Sequence, residues 1–379
     1  MSGLGSIVRT LDTVGSVVTI GGRTLLGIDT NPVPDDWAHV TKVDPEDEKK
    51  LPLAYPLYLQ HTGGVSVGGS RDVTERNTEE TFELCNAAGV TAFHEPSAAS
   101  HVTDRTRDQA EFLAIPEVLN GDSESLVGTL GEGVEHVKEE VAPALIEEKL
   151  PLPVTGTLGD KLADFAASWL IHEAVFEAYI IMNLDSAAAR EGNVTEDDLL
   201  TPKQAKQRAM AAERHLGSEV IYLEYSGTFG GEEAVSILEA VDEGVTGSRI
   251  WYGGGLDDRN NARMVAEAGA DAVVVGNVFH DVADEEATLV ADALDALGTD
   301  VEREDVRTWV DEEVDPSETS AARYLSTILS VPDHERRAAR YLADGVFLAL
   351  QFHAVADDLD EPTETDLRRA FAGESVPGE

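Results

Sequence analysis

Cysteine is all but missing from this chain, with Cys85 alone among 379 residues. No internal disulfide can form and no cysteine-based metal cluster can be built, so a buried, inert thiol is the expectation. Basic residues are scarce as well. Against 73 Asp and Glu stand 28 Lys and Arg, a formal charge of −45, which excludes attraction of the whole molecule to DNA, RNA or an anionic membrane surface. No apolar run reaches the roughly 18 residues of a membrane span. Met1 to Arg23 is valine-rich but lacks the charged-then-apolar order of an export signal. A cytoplasmic protein is expected. The acids are spread through periodic helical segments rather than gathered into a tail, and lysine is scarcer than arginine. That distribution suits a salt-rich cytoplasm, where screening relieves self-repulsion.

What is present is organised around Ile221 to His280. Three apolar runs there end in glycine or a small polar residue: Val220 to Gly227, Arg249 to Gly255, and Ala272 to Asn277. Amphipathic segments, Glu232 to Glu243 and Arg259 to Ala268, separate them. Strand, helix, strand, helix, strand is the alternation of a parallel sheet. Runs such as Ala272 to Val275 suit strands covered on both faces. Gly253 to Gly255 and Gly276-Asn277 fall at strand ends, where missing side chains let backbone N–H groups reach an anion and the next helix adds its dipole. The pair suggests the phosphate site after the last two strands of a (β/α)8 TIM barrel.

The whole length fits a barrel of about 250 residues with additions. Residues 1–35 read as an N-terminal extension closed by Asn31-Pro32-Val33-Pro34-Asp35, and 36–298 as the barrel. Earlier strands are expected at His39 to Asp44, followed by an acidic, lysine-containing helix, then at Gly64 to Gly69, Val90 to His94, Ala110 to Leu119 and Ala178 to Asn183. Helices are expected at Asn77 to Gly89 and Ser123 to Glu140, a loop or insertion at Leu150 to Gly159, and a helix opened by Thr201 as N-cap with Pro202 next. Residues 299–379 read as an acidic helical C-terminal region with helices Glu302 to Glu313, Glu318 to Leu329 and Asp333 to Asp358. Self-association is the role expected of it, and a homo-oligomer the assembly.

Several residues invite chemistry. Lys42 and Asp44 alternate onto one side of the first strand, and Tyr222 and Glu224 onto one side of the sixth. Asp44 before Pro45 suits a helix N-cap as well as a metal ligand, and Glu224 suits a structural ion pair as well as a base. On the residues alone, a phosphate-binding barrel enzyme (isomerase, lyase or flavin enzyme) and a non-catalytic phosphate binder with a partner-recruiting tail both remain open.

Taken in order, Lys42-Val43-Asp44-Pro45, Val67-Gly68-Gly69-Ser70, Glu95-Pro96-Ser97, Val118-Leu119-Asn120, Tyr179 to Asn183 with Asp185-Ser186, Tyr222 to Gly227, Gly253 to Gly255 and Gly276-Asn277 form a series. The series resembles the geranylgeranylglyceryl phosphate synthase family, in a halophile-type form, over roughly residues 37–297. The resemblance implies a magnesium-dependent prenyltransferase that moves a geranylgeranyl group from geranylgeranyl diphosphate to the 3-hydroxyl of sn-glycerol 1-phosphate, with release of diphosphate. That reaction is an early step of archaeal ether-lipid synthesis and brings transient membrane proximity for the lipid product.

It further implies Mg2+ held by Asp44 and Ser70, and acceptor binding by Lys42, Tyr222, Leu223, Glu224, Tyr225, Ser226, Gly227, Gly254, Gly255, Gly276 and Asn277. Glu224 is then the catalytic base, and Glu177 and Tyr179 line the prenyl side. One departure stands out: His61-Thr62-Gly63-Gly64 occupies the place of the family's acidic residue ahead of strand two.

Overall fold

The computed structural model describes residues 28–47, 49–69, 72–149, 156–359 and 363. Ser70, residues 1–27 of the N-terminal extension and the Pro-rich stretch 150–155 lie outside the described residues. Among the described residues eight strands occur: β1 (His39–Val43), β2 (Gly64–Val67), β3 (Ala92–His94), β4 (Ala114–Val118), β5 (Val175–Ile181), β6 (Val220–Glu224), β7 (Arg249–Gly253) and β8 (Ala272–Val275). The main helices among them are α1 (Tyr55–Leu59), α2 (Glu75–Ala88), α3 (Asp104–Gln109), α4 (Thr129–His136), α5 (Ala142–Lys149), α6 (Thr157–His172), α7 (Pro202–Ala211), α8 (Gly231–Asp242), α9 (Arg259–Glu267) and α10 (Asn277–Leu297). Then follow α11 (Arg303–Glu313), α12 (Ser320–Thr327) and α13 (His334–Asp358).

Strand order is β3-β2-β1-β8-β7-β6-β5-β4. The β1–β2, β4–β5, β5–β6, β6–β7 and β7–β8 registers are parallel, and a parallel bridge between His94 and Leu113 joins the two ends of the order. The fold is a (β/α)8 TIM barrel. Local chemistry accounts for its punctuation. Thr74 accepts the Asn77 N–H to start α2, and Gly89 ends it in the left-handed conformation at φ 70°. Thr201 and Gln204 form a reciprocal capping box, with Pro202 on the first turn of α7.

Three local expectations need correction. Among the described residues, 45–47 and 49–50 do not form the helix expected after the first strand; α1 comes later and spans five residues. Asp44 therefore does not cap a helix there. The fourth strand begins at Ala114, because Thr103 caps α3 just upstream and the chain must turn before pairing with β5. Helix α6 begins at Thr157, inside the loop expected at Leu150 to Gly159, since Gly156 and Gly159 make its start read as a loop. Among the described residues no helix is long and apolar enough to cross a membrane. Cys85 is buried, and burial pushes its thiol up to about 12.

The chain forms two compact units. Met1–Ala38, Phe93–Gly255 and Met264–Val274 make the first; His39–Ala92, Leu256–Arg263 and Val275–Glu379 make the second. In the first, Phe93 stacks on Phe112 at 4.8 Å and on Trp37 at 5.8 Å. In the second, the C-terminal helices form at nearly the expected bounds but share their unit with β1 and β2. Ala293 of α10, Val306 and Val310 of α11, and Val346 and Leu350 of α13 build one apolar cluster.

A buried acid in this unit sets a pH dependence. Glu286 on α10 is 3 % exposed, accepts the Leu53 N–H, and faces Gly345 so closely that a Cβ there would stand 2.0 Å from Oε2. Burial raises the carboxyl from 4.5 to about 7. Between those values the folded chain keeps a proton that the unfolded chain has released, so stability falls as pH rises through the window. One pH unit of such a shift corresponds to about 1.4 kcal/mol. Glu286→Gln keeps an oxygen for Leu53 and removes the charge. We expect its thermal midpoint to rise by about 4 °C or more at pH 8 and to stay near the parent's at pH 4.5. A midpoint lowered equally at both pH values contradicts this assignment.

Candidate active site

In the first unit, register fixes which side chains meet. Tyr179, Tyr222 and Trp251 are partners across β5, β6 and β7, and so are Ile181, Glu224 and Gly253 one layer nearer the strand ends. Registered partners of parallel strands face the same way. Tyr179 meets Tyr222 edge-on at 4.4 Å, and Tyr222 meets Trp251 at 6.4 Å. A Cβ on Gly253 would lie 2.0 Å from the Tyr222 hydroxyl, so glycine makes room for that phenol. Tyr179 donates its hydroxyl hydrogen to Glu95 at 2.8 Å. Burial holds both phenols well above the ordinary tyrosine range, reinforced by Glu95 and Glu177 beside Tyr179 and by Glu224 beside Tyr222. They remain neutral donors. Glu95 had no role on sequence grounds; its partner lies 84 positions away, a pairing no local pattern signals.

Glu224 is 2 % exposed, and its Oε1 accepts the Ser226 N–H at 3.0 Å. The carboxylate thus points along the loop that leaves β6. That loop turns at Gly227, φ 86°, and Asn183 ties it down by donating to the Ser226 carbonyl at 2.5 Å. The loop after β7 lies directly against it. A Cβ on Gly254 would come within 2.4 Å of the Tyr225 Cβ, and one on Gly255 within 2.3 Å of the Thr228 carbonyl carbon. Two backbones this close need glycine on one side. Leu223 faces the opposite side from Tyr222 and Glu224, in register with Ile180 and Tyr252, so it offers the site its backbone alone. Tyr225 likewise packs its ring on Tyr252, at 6.0 Å.

The second unit holds Lys42, Asp44, Gly276 and Asn277. His39 and Thr41 bond to Thr327 and Tyr324, which leaves Val40 and Lys42 on the other face of β1. Gly276 opens α10 beside Lys42: a Cβ there would stand 3.5 Å from the lysine Cβ. The 21-residue helix that starts at Asn277 directs its first N–H groups there. Asp44 follows β1, and a Cβ on Gly69 would lie 3.2 Å from its carboxyl carbon and Oδ1. A hard oxygen donor with backbone, not side chain, beside it suits magnesium. His280 on α10 is within electrostatic range: burial lowers it and Asp44 pulls it the other way.

An apolar cavity of about 580 Å3 lies in the first unit. Pro96, Phe112, Ile115, Leu130, Val137 and Ile171 are among its walls. Glu177 and Tyr179 do not line it; both belong to the strand-interior layers, where Glu177 is 1 % exposed.

A family model described as the PcrB family matches residues 34–294. Geranylgeranylglyceryl phosphate synthase from Haloquadratum walsbyi is 30% identical over 247 residues, covering 65% of this chain and 88% of that protein. The protein of the same name from Halobacterium salinarum is 31% identical over 249 residues, covering 65% and 89%. The crystal structure of (S)-3-O-geranylgeranylglyceryl phosphate synthase from Thermoplasma acidophilum with sn-glycerol-1-phosphate aligns at a TM-score of 0.46 and 20% identity, covering 64% of this chain and 86% of that one. The chain belongs to the PcrB family, the family of the geranylgeranylglyceryl phosphate synthases, and is by that membership a prenyltransferase.

Proposed function

We propose that this prenyltransferase joins the geranylgeranyl group of geranylgeranyl diphosphate to the 3-hydroxyl of sn-glycerol 1-phosphate and releases diphosphate. The observation that carries the reading is Glu224, a buried carboxylate bonded to the Ser226 N–H in the loop that packs on Gly254 and Gly255. A base and an anion-accepting backbone then stand side by side, as an acceptor bearing both a hydroxyl and a phosphate requires.

In this reading the Ser226, Gly227, Gly254 and Gly255 backbone of the first unit receives the acceptor phosphate, and in the second unit Lys42 and the Gly276-Asn277 helix start each offer positive charge to a substrate phosphate. Tyr222 donates to a glycerol hydroxyl. Glu224 accepts the proton of the 3-hydroxyl as its oxygen bonds to C1 of the prenyl chain, and the electron pair of the breaking C1–O bond leaves with diphosphate. Asp44 and Ser70 would hold the magnesium, which would supply neutralisation of charge on the leaving diphosphate. The reading keeps the enzyme in a salt-rich cytoplasm, as a homo-oligomer that meets the membrane only to deliver its product.

The prenyl tail occupies the apolar cavity, whose volume falls within the usual ligand range of about 300–1,000 Å3. Gly133 lines it, with open space where a side chain would grow. Gly133→Phe is expected to lower kcat/KM for the C20 donor at least about 10-fold relative to the C10 donor; an unchanged ratio puts the tail elsewhere. The function itself is tested with purified protein in concentrated salt, magnesium, labelled sn-glycerol 1-phosphate and geranylgeranyl diphosphate. Label should move into the organic phase. No extractable label at any salt concentration rejects the reading.

A further inference from the structure

We infer that Tyr324, on a helix beyond the family-matched span of 34–294, is a positioning residue for Lys42 and Asp44. The inference rests on the roles proposed for those two residues.

Strand β1 exposes two alternate residues to α12 and its surroundings. His39 is 3 % exposed and Thr41 fully buried. The His39 ring lies 2.9 Å through Nδ1 from the Thr62 hydroxyl and 3.1 Å through Nε2 from that of Thr327. Thr41 and Tyr324 share a hydroxyl–hydroxyl bond of 2.7 Å. Lys42 follows Thr41 directly and points the other way, so whatever fixes the Thr41 side chain fixes the strand's rotation about its axis. The Tyr324 ring also packs against Phe279 at 4.7 Å. Phe279 sits in the first turn of α10, two residues after Asn277, and its N–H bonds to Gly276 at 2.8 Å. One side chain therefore touches both the strand that carries Lys42 and leads to Asp44 and the helix that starts at Asn277.

Tyr324 has little freedom to yield. Glu285 accepts the Ser320 and Ala321 N–H groups at 3.0 and 3.1 Å, holding the start of α12. Arg259 donates to the carbonyls of Ile328, Leu329 and Val331 just past its end. Tyr58 closes the ring edge-on at 6.1 Å. A helix pinned at both ends, with a fully buried phenol between, has the character of a jig rather than an accessory domain. The family match ends at residue 294, so Tyr324 belongs to what this chain carries beyond the matched span.

The test compares Tyr324→Phe with Val310→Ala, which cuts the apolar cluster of the same C-terminal region away from β1. Both are assayed as full chains well below their thermal midpoints. Tyr324→Phe should lower kcat about 10-fold, as a sub-ångström displacement of a reacting group does, and raise the half-saturating magnesium concentration several-fold. Val310→Ala should leave both constants unchanged despite a lower midpoint. Amide exchange at Lys42 and Val43 should speed up in Tyr324→Phe alone, a readout independent of turnover. Thr41→Val should reproduce the kinetic change, and the double variant should add nothing further. Parent-like kinetics and parent-like exchange in Tyr324→Phe overturn the inference. A parent protein that forms no product, with exchange still accelerated in Tyr324→Phe, instead counts against the proposed function and leaves the positioning role standing.

Discussion

Glu224→Gln is expected to lower kcat by a factor on the order of 10² to 10⁴, the range for loss of a positioned general base. The substitution is conservative in every other respect. Gln retains an oxygen to accept the Ser226 N–H, now 3.0 Å from Oε1, so the loop that seats Gly254 and Gly255 keeps its path. Acceptor KM should therefore change far less than kcat, the signature of an interaction made in the transition state. Glu224→Asp keeps the charge but withdraws it by one methylene, and should fall between the parent and Gln. Steady-state kinetics with both substrates varied decide the matter. A Gln variant with near-parent kcat would remove Glu224 from the chemistry and leave it a structural clasp.

The second large effect concerns the other unit. Asp44→Asn should reduce turnover by about 10³-fold or more, because charge neutralisation at a departing phosphate is worth several kcal/mol. Asn fits the same space beside Gly69, where the carboxyl now lies 3.2 Å from a would-be Cβ, so folding should be spared. Raising magnesium should not restore the rate. The same variant with a parent-like rate and a parent-like magnesium response contradicts the assignment of Asp44 to the metal.

Much of this architecture was legible in the sequence because it is written in short-range patterns. Val220 to Glu224, Arg249 to Gly253 and Ala272 to Val275 are apolar runs closed by glycine or small polar residues, and all three are strands. The C-terminal helices begin within two residues of their expected starts, as Arg303, Ser320 and His334 show. Alternation also placed Tyr222 and Glu224 on one face, while the same alternation, applied strictly, turns Leu223 away. What escaped was of two kinds. Helix α6 follows a glycine-rich entry that reads as loop. Pairings such as Tyr179 with Glu95, Thr41 with Tyr324 and His39 with Thr327 join residues 84, 283 and 288 positions apart. No window along the chain contains both partners. The C-terminal region reads as an appendage for that reason, although it supplies buried hydrogen-bond partners to the first strand.

Among these tests, the product's own connectivity bears most directly on the central claim that this chain makes an ether at a glycerol phosphate hydroxyl. Nuclear magnetic resonance of the material formed from sn-glycerol 1-phosphate and geranylgeranyl diphosphate should place the prenyl C1 on the oxygen of glycerol C3, with the phosphate ester intact. A prenyl group on another atom, or recovery of both substrates unchanged under saturating magnesium and salt, would contradict it.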